Sequence, residues 1–487
     1  MRLLYPFYLT ILNFRSCFSR IHDFKTLPIE QAIIRFLKSR GHKNHFTEKS
    51  ASIGKIGIVA FCSLFLLMPT AIAASSLKPM SWKTSNGANV VFYQAMEVPM
   101  LNIKVAFAAG SAYDGDQFGL SALTTDLLNQ GNDGKDASTI AELLEATGAQ
   151  YHTESTRDMV VLDLKTLSEA TALNSATDIF AKIIAKPDFL APAFDREKSQ
   201  QLMAINQALE SPNEVANQAF FRVLYQDHPY AHPVLGTTET VEQIALKDVR
   251  NFYRTHFVGQ NATVVLVGAI QPDQAKAIAE KLTQGLQKGA SPPSIIRALP
   301  LSEDMNVEVP FPSSQTIIRL GQLGITHHNK DYFPLVVGNY ILGGGSLVSQ
   351  LAIEVREKRG LSYGVHSQFL PLAGVGPFLI SLATKANQAN TAIDITRKVL
   401  TNFVQHGPNP KEITEAKQYL IGSFPLAIAS NSSIADMLLK IAFYNLPEDY
   451  LDTYIERVNA VTQSEIKSAF NSTLSSSKLL QVTVGQR

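Results

Sequence analysis

The sequence predicts an α+β protein of two homologous α/β sandwich domains, each an antiparallel-rich sheet packed by helices. Length is the first reason. The 487 residues exceed one ordinary domain of about 150 residues and leave enough chain for two cores. Pattern is the second, because strand-like segments are segregated from several long helices. The third is an internal repeat. Residues Val241 to Gly268 align without a gap on Val458 to Gly485, pairing Asp248 with Glu465, Val249 with Ile466, Tyr253 with Phe470 and Phe257 with Leu474. The offset of 217 residues lies far beyond the roughly 20–50-residue periods of solenoids, so it marks two domains and not a repeat array.

In the first half, Val90–Phe92 and Leu101–Ala108 read as strands and Gly119–Leu128 as a buried helix. Ile140, Leu143, Leu144 and Ala146 give Ile140–Thr147 a helical face. Strands follow around Gln150–Glu154 and Met159–Leu164, then helices at Leu173–Ile184, Pro192–Glu210 and Val215–Tyr225. Each repeat copy reads as a short helix with an acid in its first turn, leading to a β-branched strand closed by Val-Gly, and Thr462 with Glu465 has capping-box spacing. The turn-rich stretch Gln287-Lys288-Gly289-Ala290-Ser291-Pro292-Pro293 places a seam near 287–310, between domains at 75–290 and 300–487. In the second half Ile317–Leu320 is a strand, Tyr332–Leu342 and Leu347–Lys358 are helices, and Ser362–Gln368 with Phe378–Thr384 form a hairpin-like pair.

Charge divides the chain unevenly. Residues 1–50 hold nine Lys/Arg against three Asp/Glu, and the chain beyond Lys55 holds 33 against 39, a formal −6. That balance excludes nucleic acid as a partner of the body. Ile56 to Ala74 is apolar, broken by Pro69, and ends in Ala71-Ile72-Ala73 as a signal-peptidase site does. The segment 51–74 is therefore a signal peptide or, on its length of about 19 apolar residues, a membrane anchor; both readings put the body outside the cytoplasm, in a periplasm-like compartment. The basic extension 1–50 is too long for a normal leader and is of doubtful status. Cys17 and Cys62 both precede the cleavage site, so the mature chain has no thiol.

The run Leu342-Gly343-Gly344-Gly345-Ser346, then Leu351, then Glu354-Val355-Arg356-Glu357-Lys358-Arg359-Gly360-Leu361-Ser362-Tyr363-Gly364-Val365 resembles the second-half signature of insulinase/pitrilysin-type metallopeptidases. Gly119-Leu120, Ala146-Thr147-Gly148-Ala149, His228-Pro229-Tyr230 and Leu235-Gly236 extend the likeness through the first half. The resemblance implies one half of a clam-shell with pseudo-twofold symmetry. It also implies where a zinc site belongs. The family's inverted motif H-x-x-E-H falls on Ala122, Thr125 and Asp126, and its distal Glu ligand on Asp195. Zinc needs neutral imidazoles and a nearby carboxylate base, and none of these positions supplies an imidazole. The chain is thus expected to hold no metal.

The second element that the resemblance implies is intact. An Arg and a Tyr in the half opposite the zinc help bind substrate backbone and stabilise a tetrahedral intermediate, and Arg356 and Tyr363 have the family spacing. Such chemistry needs donors aimed at a developing oxyanion, which a guanidinium and a phenol provide. Arg359, preceding Gly360 at a helix C-cap, reads as structural. Gly343, Gly344 and Gly345 lack the Lys-Ser/Thr of a phosphate loop; the resemblance implies close approach of backbone to the substrate chamber. Pro229 and Pro233 interrupt His228 and His232, so that pair reads as a loop, and His327-His328 reads as solvent-facing. Asn261, Asn431 and Asn471 stand in glycosylation sequons.

Two classes of function remain. In one, the chain is the metal-free subunit of a heterodimeric peptidase, lending Arg356 and Tyr363 to a homologous H-x-x-E-H subunit that carries the zinc. In the other it is a catalytically inert scaffold of the same fold. A scaffold needs neither Arg356 nor Tyr363, and their retention favours the first.

Overall fold

A strand with apolar residues on both faces belongs in the middle of a sheet, and the fully buried run Ala262–Gly268 takes that place. The computed structural model describes residues 78–486. The extension 1–50, the export segment with its Ala71-Ile72-Ala73 ending, and both cysteines lie outside the described residues. The first sheet is built from β1 (Met80–Lys83), β2 (Asn89–Gln94) and β3 (Met100–Phe107) and, beyond a short pair β4 (Gly131–Asn132) and β5 (Lys135–Asp136), from β6 (Gln150–Ser155), β7 (Val160–Leu167) and β8 (Ala262–Gly268). Its order is β1-β2-β8-β3-β7-β6. The second contains β9 (Met305–Pro310), β10 (Gln315–Leu323), β11 (Ser362–Phe369), β12 (Pro377–Lys385) and β13 (Leu480–Gly485), in the order β11-β12-β10-β13-β9. Five of the first sheet's six strands, β2-β8-β3-β7-β6, correspond in order to β9-β13-β10-β12-β11 of the second, β1 being additional: β2–β8 and β9–β13 are the parallel pairs, and the other shared neighbours are antiparallel.

The first-half helices are α1 (Leu120–Asp126), α2 (Ala137–Ala146), α3 (Ala170–Ala185), α4 (Ala191–Leu209), α5 (Pro212–Tyr225), α6 (Thr238–Gln243), α7 (Leu246–His256) and α8 (Pro272–Thr283). The second half adds α9 (Tyr332–Asn339), α10 (Ala389–His406), α11 (Pro410–Ala427), α12 (Asn431–Phe443), α13 (Tyr450–Ala460) and α14 (Gln463–Thr473). The repeat is visible in α7–β8 and α14–β13. Asp248 accepts a hydrogen bond from the Ala245 N–H at 2.9 Å and Glu465 from the Thr462 N–H at 2.7 Å, each closing the first turn of its helix. Val249 and Ile466 are both fully buried, and Phe257 and Leu474 end the two helices.

One predicted helix is broken. In place of Leu347–Lys358, Ser346–Val348 forms a 3-10 turn, Ser349 is extended, and Ala352–Glu357 is π-helical. Leu347 and Val348, at the start of the predicted helix, are exposed. The preceding helix also stops early, at Asn339, and continues as a π-turn over Tyr340–Gly344.

Each half completes its sandwich with a helix from the other. The outer face of each sheet carries its own helices, through Leu101, Ile103 and Val105 in the first and Ile318, Leu320 and Ile380 in the second. The inner face of the second sheet is covered by α5 from the first half, whose Ala216, Phe220 and Leu224 pack on Ile317, Val482 and Val484. Reciprocally, α12 lays Ile434, Ala435 and Leu438 on Ala106, Val265 and Val267 of the first sheet. Burial of apolar side chains such as these is worth about 1.5–3 kcal/mol each.

Residues that follow the two exchanged helices meet at one carboxylate. Asp158, 2% exposed, lies in the β6–β7 turn. One of its oxygens accepts a hydrogen bond from the Tyr230 hydroxyl; the other accepts from the Tyr444 hydroxyl at 2.9 Å and the Ala373 N–H at 2.8 Å. Tyr230 in turn accepts from the Gly374 N–H at 2.9 Å. Burial, reinforced by the Asp158 charge, pushes both phenols well above their ordinary pKa, so they remain donors. Arg157 lies 3.7 Å over the Phe221 ring of α5, and burial lowers its pKa to about 10. Asp158→Ala is expected to leave three donors without an acceptor and to cost about 3–5 kcal/mol, read as a lower urea midpoint. Tyr444→Phe should cost only about 1 kcal/mol, and equal midpoint shifts for the two variants would contradict a central role for the carboxylate.

Candidate functional site

Helix α1, on which the resemblance places the zinc-motif positions, is fixed at its N-terminus. Asp114 accepts from the Gly119 N–H at 2.8 Å and the Ser121 N–H at 2.7 Å, satisfying two donors the helix leaves open. Burial pushes the Asp114 carboxyl well above the usual range, and those two bonds oppose it. Gln201 of α4 donates to the Gly119 carbonyl at 3.0 Å and the Leu235 carbonyl at 2.8 Å. A Cβ on Gly119 (φ 95°) would stand 2.5 Å from the Leu235 oxygen, and one on Gly236 (φ 76°) 2.1 Å from the Phe118 oxygen. The Gly119-Leu120 and Leu235-Gly236 motifs are therefore two sides of a single backbone contact.

Along that helix Ala122 and Thr125 are buried, and the Thr125 hydroxyl donates to the Ser121 carbonyl at 2.7 Å. Only Asp126 reaches solvent. Desolvation by the surrounding wall, and then the charge of Glu197, push its carboxyl up to about 6. The placing of Asp195 with these residues is corrected by the structure. The buried face of α4 runs through Ala193, Phe194, Glu197, Gln201 and Ile205, so Asp195 points to solvent and Glu197, two residues on, faces Asp126. The helical spacing of that face is readable in the sequence and identifies Glu197. No imidazole stands at any of these positions, and among the described residues no three His, Cys, Asp or Glu side chains converge as ligands. The residues present do not fit zinc.

Arg356 and Tyr363 do come together. The guanidinium carbon lies 5.1 Å from the centre of the Tyr363 ring, a cation–π distance. Arg356 lies in the last turn of the π-helical segment, after which the Gly360 N–H bonds to the Arg356 carbonyl and the Leu361 N–H to the Val355 carbonyl, each at 2.9 Å. Then β11 begins with a bulge between Ser362 and Val365. The Ser362 hydroxyl lies 2.6 Å from the Gly364 carbonyl and 2.8 Å from the Ala383 carbonyl, holding the bulge to β12. A bulge on an edge strand re-aims a side chain, and Tyr363 is 87% exposed. Arg356 forms no ion pair among the described residues, whereas Arg359 is bound at 2.6 Å to Glu354 and at 2.8 Å to its carbonyl, as a structural residue should be.

Of the three loop glycines, Gly343 is the one packed tightly against β11: a Cβ there would meet the Ser367 nitrogen at 2.6 Å. Gly344 is exposed and the Gly345 N–H donates to the Tyr340 carbonyl at 2.7 Å. Asn339 and Ser367 exchange two side-chain hydrogen bonds across the same contact, at 3.0 and 2.8 Å. The π-turn thus braces the strand that presents Tyr363.

His228 and His232 lie in a loop and are buried; His228 Nε2 is 2.8 Å from the Ile296 carbonyl, and His232 stacks on Phe118 at 4.2 Å. His327 is not solvent-facing as the sequence suggested. Its ring lies 3.8 Å from that of Tyr444, and burial first, then Lys440, holds its pKa down to about 3. Asn261 is committed inside the fold, donating to the Ala108 carbonyl at 3.1 Å and the His256 carbonyl at 2.7 Å.

The family model described as insulinase (peptidase family M16) matches residues 90–238, and the one described as peptidase M16 inactive domain matches 243–420. A crystal structure of a peptidase M16 inactive domain from Pseudomonas fluorescens is 36% identical, covers 84% of this chain and 98% of its own, and superposes with a TM-score of 0.82. The chain belongs to the M16, or insulinase, family. The non-peptidase homolog YmxG of Helicobacter pylori is 25% identical over 382 residues, 77% of this chain and 87% of its own. A chain of complex III2 from Candida albicans, at 16% identity and a TM-score of 0.70 over 83% of this chain and 95% of its own, shares the fold. Within this M16 fold, Asp126 generates a pH signature. A carboxyl raised when folded favours the native state below about pH 6 and loses that contribution as pH rises from the unfolded value of 3.8 through 6. Because the side chain reaches solvent, the effect is discounted to about 1 kcal/mol. Asp126→Asn is expected to raise the urea midpoint at pH 7 and to flatten its dependence between pH 4 and 7; an unchanged slope would contradict the shift.

Proposed function

We propose that this chain is the metal-free subunit of a two-chain M16 peptidase, binding the peptide and lending Arg356 and Tyr363 to an H-x-x-E-H partner. The observation that carries the reading is the contrast between the two halves: the metal positions are filled by Ala122 and Thr125, packed into the core, while Tyr363 is held out on a bulged edge strand with Arg356 against its ring. The Tyr363 hydroxyl is free to donate to an oxyanion, and the Arg356 guanidinium to a peptide carbonyl. Zinc and the proton-accepting Glu belong to the partner. The likeness to a relative named a non-peptidase homolog supports inactivity of the isolated chain. The apolar segment before Ala74 supports an extracytoplasmic setting. The alternative, an inert scaffold, draws on the fold likeness to the complex III2 chain.

The purified mature chain is expected to hold no stoichiometric zinc by elemental analysis and to cleave no peptide; about one zinc per chain after dialysis would overturn this. Reconstituted with an H-x-x-E-H partner, Tyr363→Phe should keep the complex intact by size-exclusion chromatography and lower turnover of a quenched peptide by about a hundredfold, with Arg356→Ala at least as harmful. Unchanged turnover in the assembled Tyr363→Phe complex would leave the scaffold reading. N-terminal sequencing of the protein from its host is expected to begin at Ala74 or Ser75, and an intact N-terminus in the membrane fraction would mean an anchor.

A further inference from the structure

The duplicated sheets allow a residue-by-residue comparison of their inner faces. Residues directly paired across antiparallel strands share a face. In the first sheet such a row runs Val265, Lys104, Asp163, His152; in the second it runs Val482, Arg319, Ser381, His366. Both rows place a cation on the central antiparallel strand and a histidine on the edge strand. The difference lies in what surrounds the cation.

Lys104 sits between two carboxylates, Asp163 at 2.5 Å and Asp436 of the exchanged helix α12 at 2.9 Å. Arg319, 7% exposed, has Ser381 where the first sheet has Asp163. Its contact on the exchanged helix α5 is Asn217, where α12 offers Asp436. Its Nε donates to Asn217 at 2.9 Å, Nη2 to Asn213 at 3.1 Å and Nη1 to the Ile318 carbonyl at 3.3 Å, so every acceptor is neutral. Glu214, exposed at the first turn of α5, acts on it only from a distance and forms no ion pair with it among the described residues. A cation so placed projects its charge through a low-dielectric wall instead of spending it on a neighbour.

The charge reaches an open surface. Helix α5 lies over β13 and β10, while His366, at the edge-strand end of the row, is exposed. Burial first, and the Arg319 charge second, hold the His366 imidazole below its ordinary pKa, so the field of Arg319 extends to the strand that also presents Tyr363, three residues earlier. Between Arg319 and that strand only Ser381 intervenes, two strand spacings or about 10 Å in all.

We propose that the inner face of the second sheet is an acid-selecting subsite, in which Arg319 favours an Asp or Glu side chain of a peptide lying along β11 beside His366. The inference rests on the peptide-binding reading above and adds a substrate class to it. Two unit charges three strand spacings or about 15 Å apart, at an effective dielectric near 20, correspond after screening to about a threefold preference in affinity.

The test uses the full chain and three fluorescein-labelled, strand-forming decapeptides that differ only in a central Glu, Gln or Lys, with binding followed by fluorescence anisotropy at 50 and 500 mM salt. The expected order is Glu, then Gln, then Lys, with about threefold between Glu and Gln at low salt and less at high salt. Asn217→Asp supplies the carboxylate that the first sheet has at Asp436, and should bring the Glu-to-Gln affinity ratio close to one. Ser381→Asp, at the place of Asp163, is a second route to the same neutralisation if the first variant does not fold. Equal affinity for the three peptides would overturn the subsite and leave peptide binding standing, as would a preference undiminished in a folded neutralised variant. Failure of all three peptides to bind would overturn the peptide-binding reading and the subsite with it.

Discussion

Both exchanged helices lead into residues that hydrogen-bond to Asp158, and the placement of each inner face depends on that junction. Tyr230 follows α5 by a short loop and Tyr444 follows α12 directly; each donates a phenolic hydrogen to the same carboxylate. The Ala373 N–H fixes the segment between β11 and β12 to it as well. A buried carboxylate with three donors loses stability with each donor that is withdrawn. Moving one half relative to the other would strand the carboxylate as well as opening the apolar contacts of Phe220 and Leu438. The position of α5 over the second sheet, and with it the environment of Arg319, follows from this constraint.

The two halves have diverged within that shared frame in a physically legible way. Around α1, Asp114 caps the helix and the Gly119–Leu235 and Gly236–Phe118 contacts close it, while Ala122 and Thr125 stand buried where the resemblance places a ligand and a base. Such replacements cost a fold little, because Ala122 adds no polar group and Thr125 satisfies its hydroxyl within its own helix. At β11 the reverse holds. The bulge leaves Tyr363 exposed to water beside Arg356, while the π-helical turn that carries Arg356 keeps Ala352 and Val355 in the core.

Much of this architecture was legible in local pattern. The strand predicted at Leu101–Ala108 is Met100–Phe107, the helix predicted at Pro192–Glu210 is Ala191–Leu209, and the 217-residue repeat recurs as α7–β8 and α14–β13. The errors have physical causes. The helix predicted at Leu347–Lys358 is interrupted because Ser349 is extended, which leaves Leu347 and Val348 at an exposed turn before a new helical segment. His327 sits in a polar stretch, yet Tyr444, 117 residues downstream in the sequence, covers it. Asp195 was chosen on motif position, whereas helix phase selects Glu197.

By itself the sequence determined the period-two and period-3.6 elements, the duplication, the missing imidazoles and the Arg356–Tyr363 spacing, since each depends on residues close in the chain or on direct comparison of its halves. Only the tertiary structure decided that α5 and α12 trade places, that Asp158 joins them, and that Lys104 is neutralised while Arg319 is not. These pairings link residues up to 332 positions apart, as Lys104 to Asp436. Hydrophobic periodicity says that a face is buried but not which sheet buries it, and the charge balance of a buried row depends on what that sheet brings.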